Sequence, residues 1–179
     1  SKPPLIVTDR GLADHPMCAT ITSHLAKAGI TPGLFADVQP NPTGENVTNG
    51  VSAFNIGGHD AVIALGGGSA IDAAKAVALM AGQTLSLWDF EDIGDNWRRA
   101  DVSAMAPVLA IPTTAGTGSE LGRSSVISNT DEKRKVIIFH PRMLPDCVIM
   151  DPELTVGLPP VLTAGTGMDA LSHALEAWC

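Results

Sequence analysis

The sequence predicts an α/β fold in which a mostly parallel sheet is covered by helices on both faces. Short apolar runs alternate with stretches of helical periodicity, which is the pattern of parallel strands joined by helical crossovers. Residues 62–65 are apolar at every position, as expected for a strand buried on both faces. The 179 residues, 45% hydrophobic and 17% charged, supply enough apolar material for the core of one domain or two small ones.

The first half of the chain supplies three strands and three helices. Strands are predicted at residues 5–8, 34–36 and 62–65. The first helix follows the run Asp14–His15–Pro16, which offers a cap and a first-turn proline, and it ends at Gly29. The second helix begins after Thr43, its expected N-cap, and an alanine-rich third helix is predicted over residues 71–80.

The second half begins with an irregular stretch, residues 83–106, which predicts a long surface excursion. Strands are then predicted at residues 108–111 and 148–150, and a β-hairpin at residues 126–128 and 136–138. A helix with one polar face is expected from about residue 161 to residue 178. Together the two halves predict a Rossmann-like sheet with a β-hairpin insertion.

The charge balance argues against nucleic-acid and membrane partners. Eleven Lys and Arg residues face nineteen Asp and Glu residues, for a net charge of -8, and the cations cluster only at residues 133–135. A chain this acidic repels phosphate backbones and anionic lipids. No apolar run is long enough to span a bilayer, and the polar first residues do not resemble a signal peptide.

Cysteine usage favours a reducing compartment, and we expect a cytoplasmic protein. The three cysteines are widely spaced and no CxxC occurs, so neither a disulfide framework nor a cysteine-zinc site is indicated. The sequence begins without Met and stops at Cys179 inside a helical pattern. We therefore expect a segment of a longer protein, or a processed product.

Two loops at predicted strand ends have the composition of an anion site. Gly66, Gly67, Gly68 and Ser69 lead from the third strand into the alanine-rich helix, so free N–H groups and the helix dipole would face one point. The loop at residues 112–119, rich in Thr and Gly, follows the next strand and could contact the same ligand. The alternatives are a tight turn without a ligand and a plain polar loop.

Two further pairs of residues point to a dinucleotide and to a metal. Asp9 and Asp37 each close a predicted strand, where a carboxylate can bind a ribose diol and repel a 2′-phosphate; spacing does not choose between them, and both could be caps. Asp169 and His173 lie four residues apart on a predicted helix and could fill two positions of a divalent metal, or form an ordinary surface contact. Two more ligands would be needed to complete a metal site.

Several motifs in order resemble one family, the iron-containing (group III) alcohol dehydrogenases. They span nearly the whole chain and are specific only when taken together. The motifs are Val7–Thr8–Asp9, Pro40–Asn41–Pro42–Thr43, Gly66–Gly67–Gly68–Ser69 with Asp72, Ile111–Pro112–Thr113–Thr114–Ala115–Gly116–Thr117, Val148–Ile149–Met150–Asp151, Pro159, Ala164–Gly165–Thr166–Gly167–Met168–Asp169–Ala170–Leu171 and Glu176.

The resemblance implies a dinucleotide-binding domain over residues 1–160. Residues 161–179 would be the first helix of a metal-binding helical domain, the rest of which is absent from this sequence. By analogy Asp9, rather than Asp37, recognises the ribose, while Ala70 and Ile71 contribute backbone groups. The implied cofactor-binding residues are Asp9, Asn41, Gly67, Gly68, Ser69, Ala70, Ile71, Asp72, Thr113, Thr114, Thr117 and Lys135, and the implied metal ligands are Asp169 and His173.

The implied activity is that of an oxidoreductase, a metal-dependent and NAD-linked alcohol dehydrogenase or aldehyde reductase. It would transfer hydride between a small alcohol or aldehyde and nicotinamide, with Fe(II) as the expected metal and Zn(II) as the alternative. A homo-oligomer, a dimer in the first instance, is expected, no general base is assigned, and the chain alone should bind nucleotide but turn over poorly. The alternatives are an enzyme like dehydroquinate synthase or glycerol-phosphate dehydrogenase, and a nucleotide-binding module without catalysis.

Overall fold

A computed structural model describes residues 2–179, and its centre is a five-stranded parallel sheet with the strand order β2-β1-β3-β4-β7. All four strand pairings are parallel. The predicted α/β class is confirmed. The strands are β1 (Leu5–Asp9), β2 (Gly33–Val38), β3 (Val62–Gly66), β4 (Val108–Pro112) and β7 (Cys147–Val148), while β5 (Ser124–Asn129) and β6 (Arg134–Phe139) form a separate hairpin.

Helices cover both faces of the sheet, as predicted. They are α1 (Arg10–Ala13), α2 (Pro16–Lys27), α3 (Gly44–Ile56), α4 (Gly68–Met80) and α5 (Pro160–Trp178). Helices α3 and α4 pack with the hairpin in the larger core cluster, in which Val7, Ala64 and Val77 are completely buried. Helix α2 covers the opposite face through a smaller cluster around Ile6 and Leu65. The sheet is thus sandwiched, which explains why β3 is apolar at every position.

The stretch over residues 83–106 differs from the predicted surface excursion. It contains three short 3₁₀ helices, Leu87–Phe90, Asn96–Arg99 and Val102–Ala104. Phe90 is completely buried and Leu87 nearly so, and both belong to the larger core cluster. The segment lacks helical or strand periodicity, yet two apolar side chains anchor it against the hairpin and α4, so it is part of the packed fold.

Strand β7 is shorter than predicted, and α5 is exposed along its length. The pairing of β4 with β7 ends at Val148, so Met150, which is 65% exposed, lies outside the sheet. Every residue of α5 lies in the described part of the chain, and none of them is buried. Over residues 2–179, no helix combines the length and the apolar character needed to cross a bilayer.

His140 makes the stability of this fold sensitive to acid. Its ring is 2% exposed, Nδ1 accepts a hydrogen bond of 3.0 Å from the N–H of Arg142, and the ring packs edge-on against Trp97. Burial, together with the charge of Arg142, lowers the pKa of His140 below its ordinary value of 6.5. The unfolded chain therefore binds this proton more tightly. The contribution of the neutral His140 ring to the free energy of unfolding should be complete above pH 6.5 and should be lost progressively as the pH drops toward 5. Urea unfolding across pH 5–8 will measure this loss.

The matched control for this prediction is His24, an exposed histidine on α2 whose Nδ1 bonds only to the carbonyl of Thr20. His140→Asn should flatten the loss of stability between pH 7 and 5, while His24→Asn should leave its slope unchanged. An equal slope in the wild type and in His140→Asn would contradict the assignment.

Candidate functional site

The glycine turn, residues 66–69, ends β3 and opens α4. Gly66 has a φ of 141°, a conformation that strains any residue with a side chain, and a Cβ there would lie 2.7 Å from the Cβ of Ala70. Gly67 is the N-cap of α4, and the first bond into the helix runs from the N–H of Ile71 to the carbonyl of Gly67 at 3.1 Å. The N–H groups of Gly68, Ser69 and Ala70 precede that bond and point out of the helix end, where an anion can bind them.

The backbone N–H of Ile71 is engaged within α4. Its N–H group is already used by Gly67, and its side chain is 1% exposed. The N–H group of Ala70, one residue earlier, lies in the first turn, where helix N–H groups have no partner within the helix, while its methyl group is buried. The backbone contacts that the family resemblance implies for Ala70 and Ile71 stay predictions.

The threonine loop, residues 112–119, meets the glycine turn. A Cβ on Gly68 would lie 2.8 Å from Cγ2 of Thr117, and one on Gly67 would lie 3.1 Å from Cγ2 of Thr114. The N–H of Thr113 donates to the carbonyl of Gly66 at 3.0 Å. The two loops that the sequence assigns to one ligand are thus in van der Waals contact at the carboxyl edge of neighbouring strands, where ligands of open α/β sheets bind.

The structure distinguishes the two acidic residues that spacing alone left equivalent. Asp9 caps α1 by accepting a 3.1 Å bond from the N–H of Leu12, and its second oxygen lies 3.6 Å from the position of a Cβ on Gly66. Asp37, by contrast, is bound by the guanidinium of Arg10. The geometry favours Asp9, because it alone of the two borders the glycine turn.

Asn41, Ser69 and Lys135 form a polar bridge beside the turn. Asn41 has a φ of 56°, and its N–H donates to Oγ of Ser69 at 3.3 Å. Nζ of Lys135, on the hairpin, donates to Oδ1 of Asn41 at 2.8 Å. The bridge brings a cation from β6 to the mouth of the glycine turn. This cation can partly neutralise a bound diphosphate.

Asp72 makes its hydrogen bonds to the threonine loop and to the hairpin. One carboxylate oxygen accepts from the hydroxyl of Ser119, and the other accepts a 2.9 Å bond from the N–H of Val126. Both oxygens are therefore taken by the protein, and a carboxylate repels a diphosphate. Asp72 fixes the threonine loop and the hairpin against α4, and its predicted role at the cofactor stays a prediction.

Lys75 is a site-organising residue that the sequence analysis missed. Its side chain is completely buried, and Nζ donates to the carbonyl oxygens of Ser119, at 2.8 Å, and of Gly122 and Ser124. Asp72 lies 3.5 Å from the same nitrogen. Burial lowers the pKa of Lys75, and the charge of Asp72 opposes that shift. The available signal was that Asp72 and Lys75, three residues apart, are the only charges in an otherwise apolar helix.

The predicted metal pair lies on one face of α5. Nε2 of His173 and Oδ1 of Asp169 are 3.7 Å apart, and their side chains are 56% and 42% exposed. An imidazole and a carboxylate at this separation suit two adjacent positions of Fe(II) or Zn(II). Within residues 2–179, no group of three or more His, Cys, Asp or Glu side chains could hold a metal. The residues fit the metal as a partial ligand set.

Helix α5 touches the threonine loop through backbone. A Cβ on Gly116 would collide with the carbonyl oxygen of Thr166. Because Thr166 precedes Asp169 by less than one turn, this contact brings the metal pair to the side of the sheet on which the glycine turn opens.

A cavity in the described part of the chain lies away from these residues. It has a volume of about 420 Å³, lies between α3, residues 83–88 and the hairpin turn, and contains none of the predicted site residues. Its lining includes Val47, Val51, Met80 and Trp88. The predicted residues of the glycine turn and the threonine loop instead lie at an open edge of the sheet, and their closeness to one another makes this edge the candidate site.

Comparisons with known proteins show the family and the fold of the chain. Residues 1–152 match the family model described as iron-containing alcohol dehydrogenase. Alcohol dehydrogenase 4 of Saccharomyces cerevisiae is 39% identical over 177 residues, which are 99% of this chain and 45% of that protein. A crystal structure of 1,3-propanediol oxidoreductase superposes with a TM-score of 0.89 at 38% identity, over 97% of this chain and 44% of that one.

A second solved structure includes the nucleotide. Sulfoacetaldehyde reductase from Bifidobacterium kashiwanohense, in complex with NAD+, superposes with a TM-score of 0.87 at 35% identity, over 98% of this chain and 45% of that one. The chain therefore spans less than half the length of the relatives it matches.

Proposed function

Because this chain belongs to the iron-containing alcohol dehydrogenase family, we propose that it is the NAD-binding part of a metal-dependent enzyme that interconverts a small alcohol and an aldehyde. One observation supports the proposal above the others: the glycine turn, the threonine loop and Asp9 converge at the carboxyl edge of the sheet. Hydride chemistry belongs to the nicotinamide when it is bound, and the protein supplies binding and orientation.

In this proposal the diphosphate of NAD binds at the glycine turn. The N–H groups of Gly68, Ser69 and Ala70 and the positive end of α4 would hold it. Thr114 and Thr117 would line the opposite side, because they contact Gly67 and Gly68. Lys135, held by Asn41, would supply the neutralising charge. Calorimetry with NAD and NADH on the folded chain tests the proposal directly, and the absence of binding would refute it.

Asp9 is proposed to select NAD over NADP by bonding the adenosine ribose. Asp9→Ser keeps an oxygen that can cap α1 while removing the charge. We expect it to weaken NAD about 10- to 100-fold, since a hydrogen bond to a charged group contributes about 1.5–3 kcal/mol. The ratio of NAD to NADP affinity should fall with it. Asp14→Ser, five residues further on at an exposed position, should change neither affinity, and an unaltered ratio in Asp9→Ser would refute the assignment.

Asp169 and His173 are proposed to hold the metal at two of its positions. When bound, a divalent metal supplies Lewis-acid polarisation of the substrate oxygen. The pair lies on the helix that contacts the threonine loop, so the substrate would lie between α5 and the glycine turn.

With only two ligands from this chain, we expect weak metal binding and little or no turnover by the 179-residue polypeptide. NAD reduction with several primary alcohols and added Fe(II) or Zn(II) will measure the turnover, and zinc calorimetry on the wild type and His173→Asn will measure the binding. Robust turnover by this polypeptide would contradict the expectation.

A substrate screen separates the remaining candidates. The family match favours plain alcohols over the phosphorylated polyols expected of an enzyme like glycerol-phosphate dehydrogenase. We propose that plain alcohols and diols are the substrates of the whole protein. A non-catalytic nucleotide module would bind NAD yet show no activity with either substrate class when the full-length protein is tested.

We also propose that α5 opens a second domain and that the protein is a cytoplasmic homodimer. The exposed apolar side chains of α5 support the first point; they include Val161, Leu162, Met168, Leu171, Leu175 and Trp178. All three cysteines, which lie within residues 2–179, are unpaired, as in a reducing compartment. The homodimer is supported by β2, which is an edge strand of the sheet and leaves the apolar side chain of Leu34 51% exposed. Light scattering will give the oligomeric state.

A further inference from the structure

We propose that the ion pair of Arg10 and Asp37 is a second determinant of nucleotide choice. Asp37 holds the guanidinium of Arg10 at the outer edge of the sheet, and so prevents it from binding the 2′-phosphate of NADP. This inference rests on the proposed function, because it takes Asp9, the neighbour of Arg10, as the residue that contacts the adenosine ribose.

The pair is close and directional. Nε of Arg10 donates to Oδ1 of Asp37 at 2.7 Å, and a terminal guanidinium nitrogen lies 2.6 Å from the same oxygen. Asp37 is on β2, on one side of β1, whereas Gly66 is on β3, on the other side. The arginine that directly follows Asp9 is therefore drawn away from the glycine turn.

An irregularity in the sheet accompanies this arrangement. Val7 pairs with Phe35, but Asp9 pairs with Val38, so β2 has one more residue than β1 between these pairs. Such a bulge re-aims the side chains of the longer strand. The carbonyl of Asp37 also accepts a 2.9 Å bond from Nδ2 of Asn46, which fixes the backbone at this point.

Stability does not explain the pair. The two side chains are 83% and 57% exposed, and ion pairs at that exposure contribute little to folding. Their chemistry does suit discrimination. Arginine is the side chain that accommodates a 2′-phosphate in dinucleotide sites, through a fork of N–H donors. The Asp37 carboxylate contacts two nitrogens of that fork, Nε and one terminal nitrogen, and adds a negative charge that repels the phosphate.

The test measures NAD and NADP binding by calorimetry. Each variant is made twice, once in the wild-type sequence and once together with Asp9→Ser. Asp37→Asn should raise NADP affinity about tenfold, as expected when a charged donor pair is released to a phosphate. NAD affinity should change less than about twofold. Arg10→Gln added to Asp37→Asn should abolish the gain. The control is Asp95→Asn, which breaks a comparably exposed pair with Arg98 away from the site.

Two results would overturn the inference while leaving the proposed function intact: unchanged NADP affinity in Asp37→Asn when NAD still binds, or a gain that survives the loss of Arg10. Failure of every folded variant, the wild type included, to bind NAD would overturn the proposed function and this inference together. Circular dichroism on each variant shows that the proteins compared are folded.

Discussion

Replacing Lys75 with methionine is expected to destabilise the chain by about 3–5 kcal/mol, the range for removing one partner of a buried charge pair. Methionine fills most of the space but leaves the carbonyl oxygens of Ser119, Gly122 and Ser124 without their shared donor. It also leaves Asp72 without its cation. Because these groups connect α4 to the threonine loop and the hairpin, nucleotide affinity should fall as well. Urea unfolding measures the first effect, and calorimetry with NAD measures the second.

The control for Lys75→Met is Lys27→Met, an exposed lysine in the last turn of α2, which should cost no more than about 0.5 kcal/mol. A double-mutant cycle that combines Lys75→Met with Asp72→Asn measures the coupling between the two residues. If the two residues act as one unit, the double variant will lose less than the sum of the single variants. Additive losses would show that the contact between Lys75 and Asp72 has no energetic role.

Gly68→Val should reduce NAD affinity at least about tenfold while the fold survives. A Cβ at this position meets Cγ2 of Thr117 at 2.8 Å, and overpacking of this kind costs about 1–3 kcal/mol. The branched side chain also stands between the N–H groups of the helix end and the diphosphate. Affinity by calorimetry and the urea midpoint, measured on the same preparation, separate loss of binding from loss of folding.

Gly157→Val is the matched control, since no atom of the described residues lies within 4 Å of its Cβ position and its backbone conformation is ordinary. It should bind NAD like the wild type. If Gly68→Val also binds NAD with unchanged affinity, the glycine turn is not where the diphosphate lies, and the proposed function loses its main support.

The sheet and most of its helices were predictable because each signal is local. Alternating apolar runs place the strands, and the cap at Thr43 places the start of α3. Helix α4 begins at Gly68, three residues before the predicted start, because two of the glycines and Ser69 already belong to its cap and first turn. The end of β7 was not predictable, since pairing with β4 stops at Val148 although the apolar run continues. The burial of Leu87 and Phe90 depends on the hairpin, which lies far along the chain.

Within the candidate site, spacing indicated the two loops, and the family resemblance implied the metal pair, but neither gave the contacts of the charged residues. The structural argument for Asp9 over Asp37 depends on the closeness of Asp9 to Gly66 and on the contact of Arg10, in α1, with Asp37, in β2. The role of Asp72 depends on Ser119, 47 residues away. Such pairings are set by tertiary packing, and sequence periodicity has no information about them. The family resemblance supplied the residues, whereas the structure supplied what each one touches.

The contact between Gly116 and Thr166 has a mechanical consequence. A Cβ on Gly116 would meet both the carbonyl oxygen of Thr166 and the Cβ of Thr166, at 2.8 Å from the latter. Any larger residue at position 116 would therefore have to push α5 away from the threonine loop. Because Asp169 and His173 lie on the same helix, the distance between the proposed metal pair and the proposed nucleotide site would increase with it.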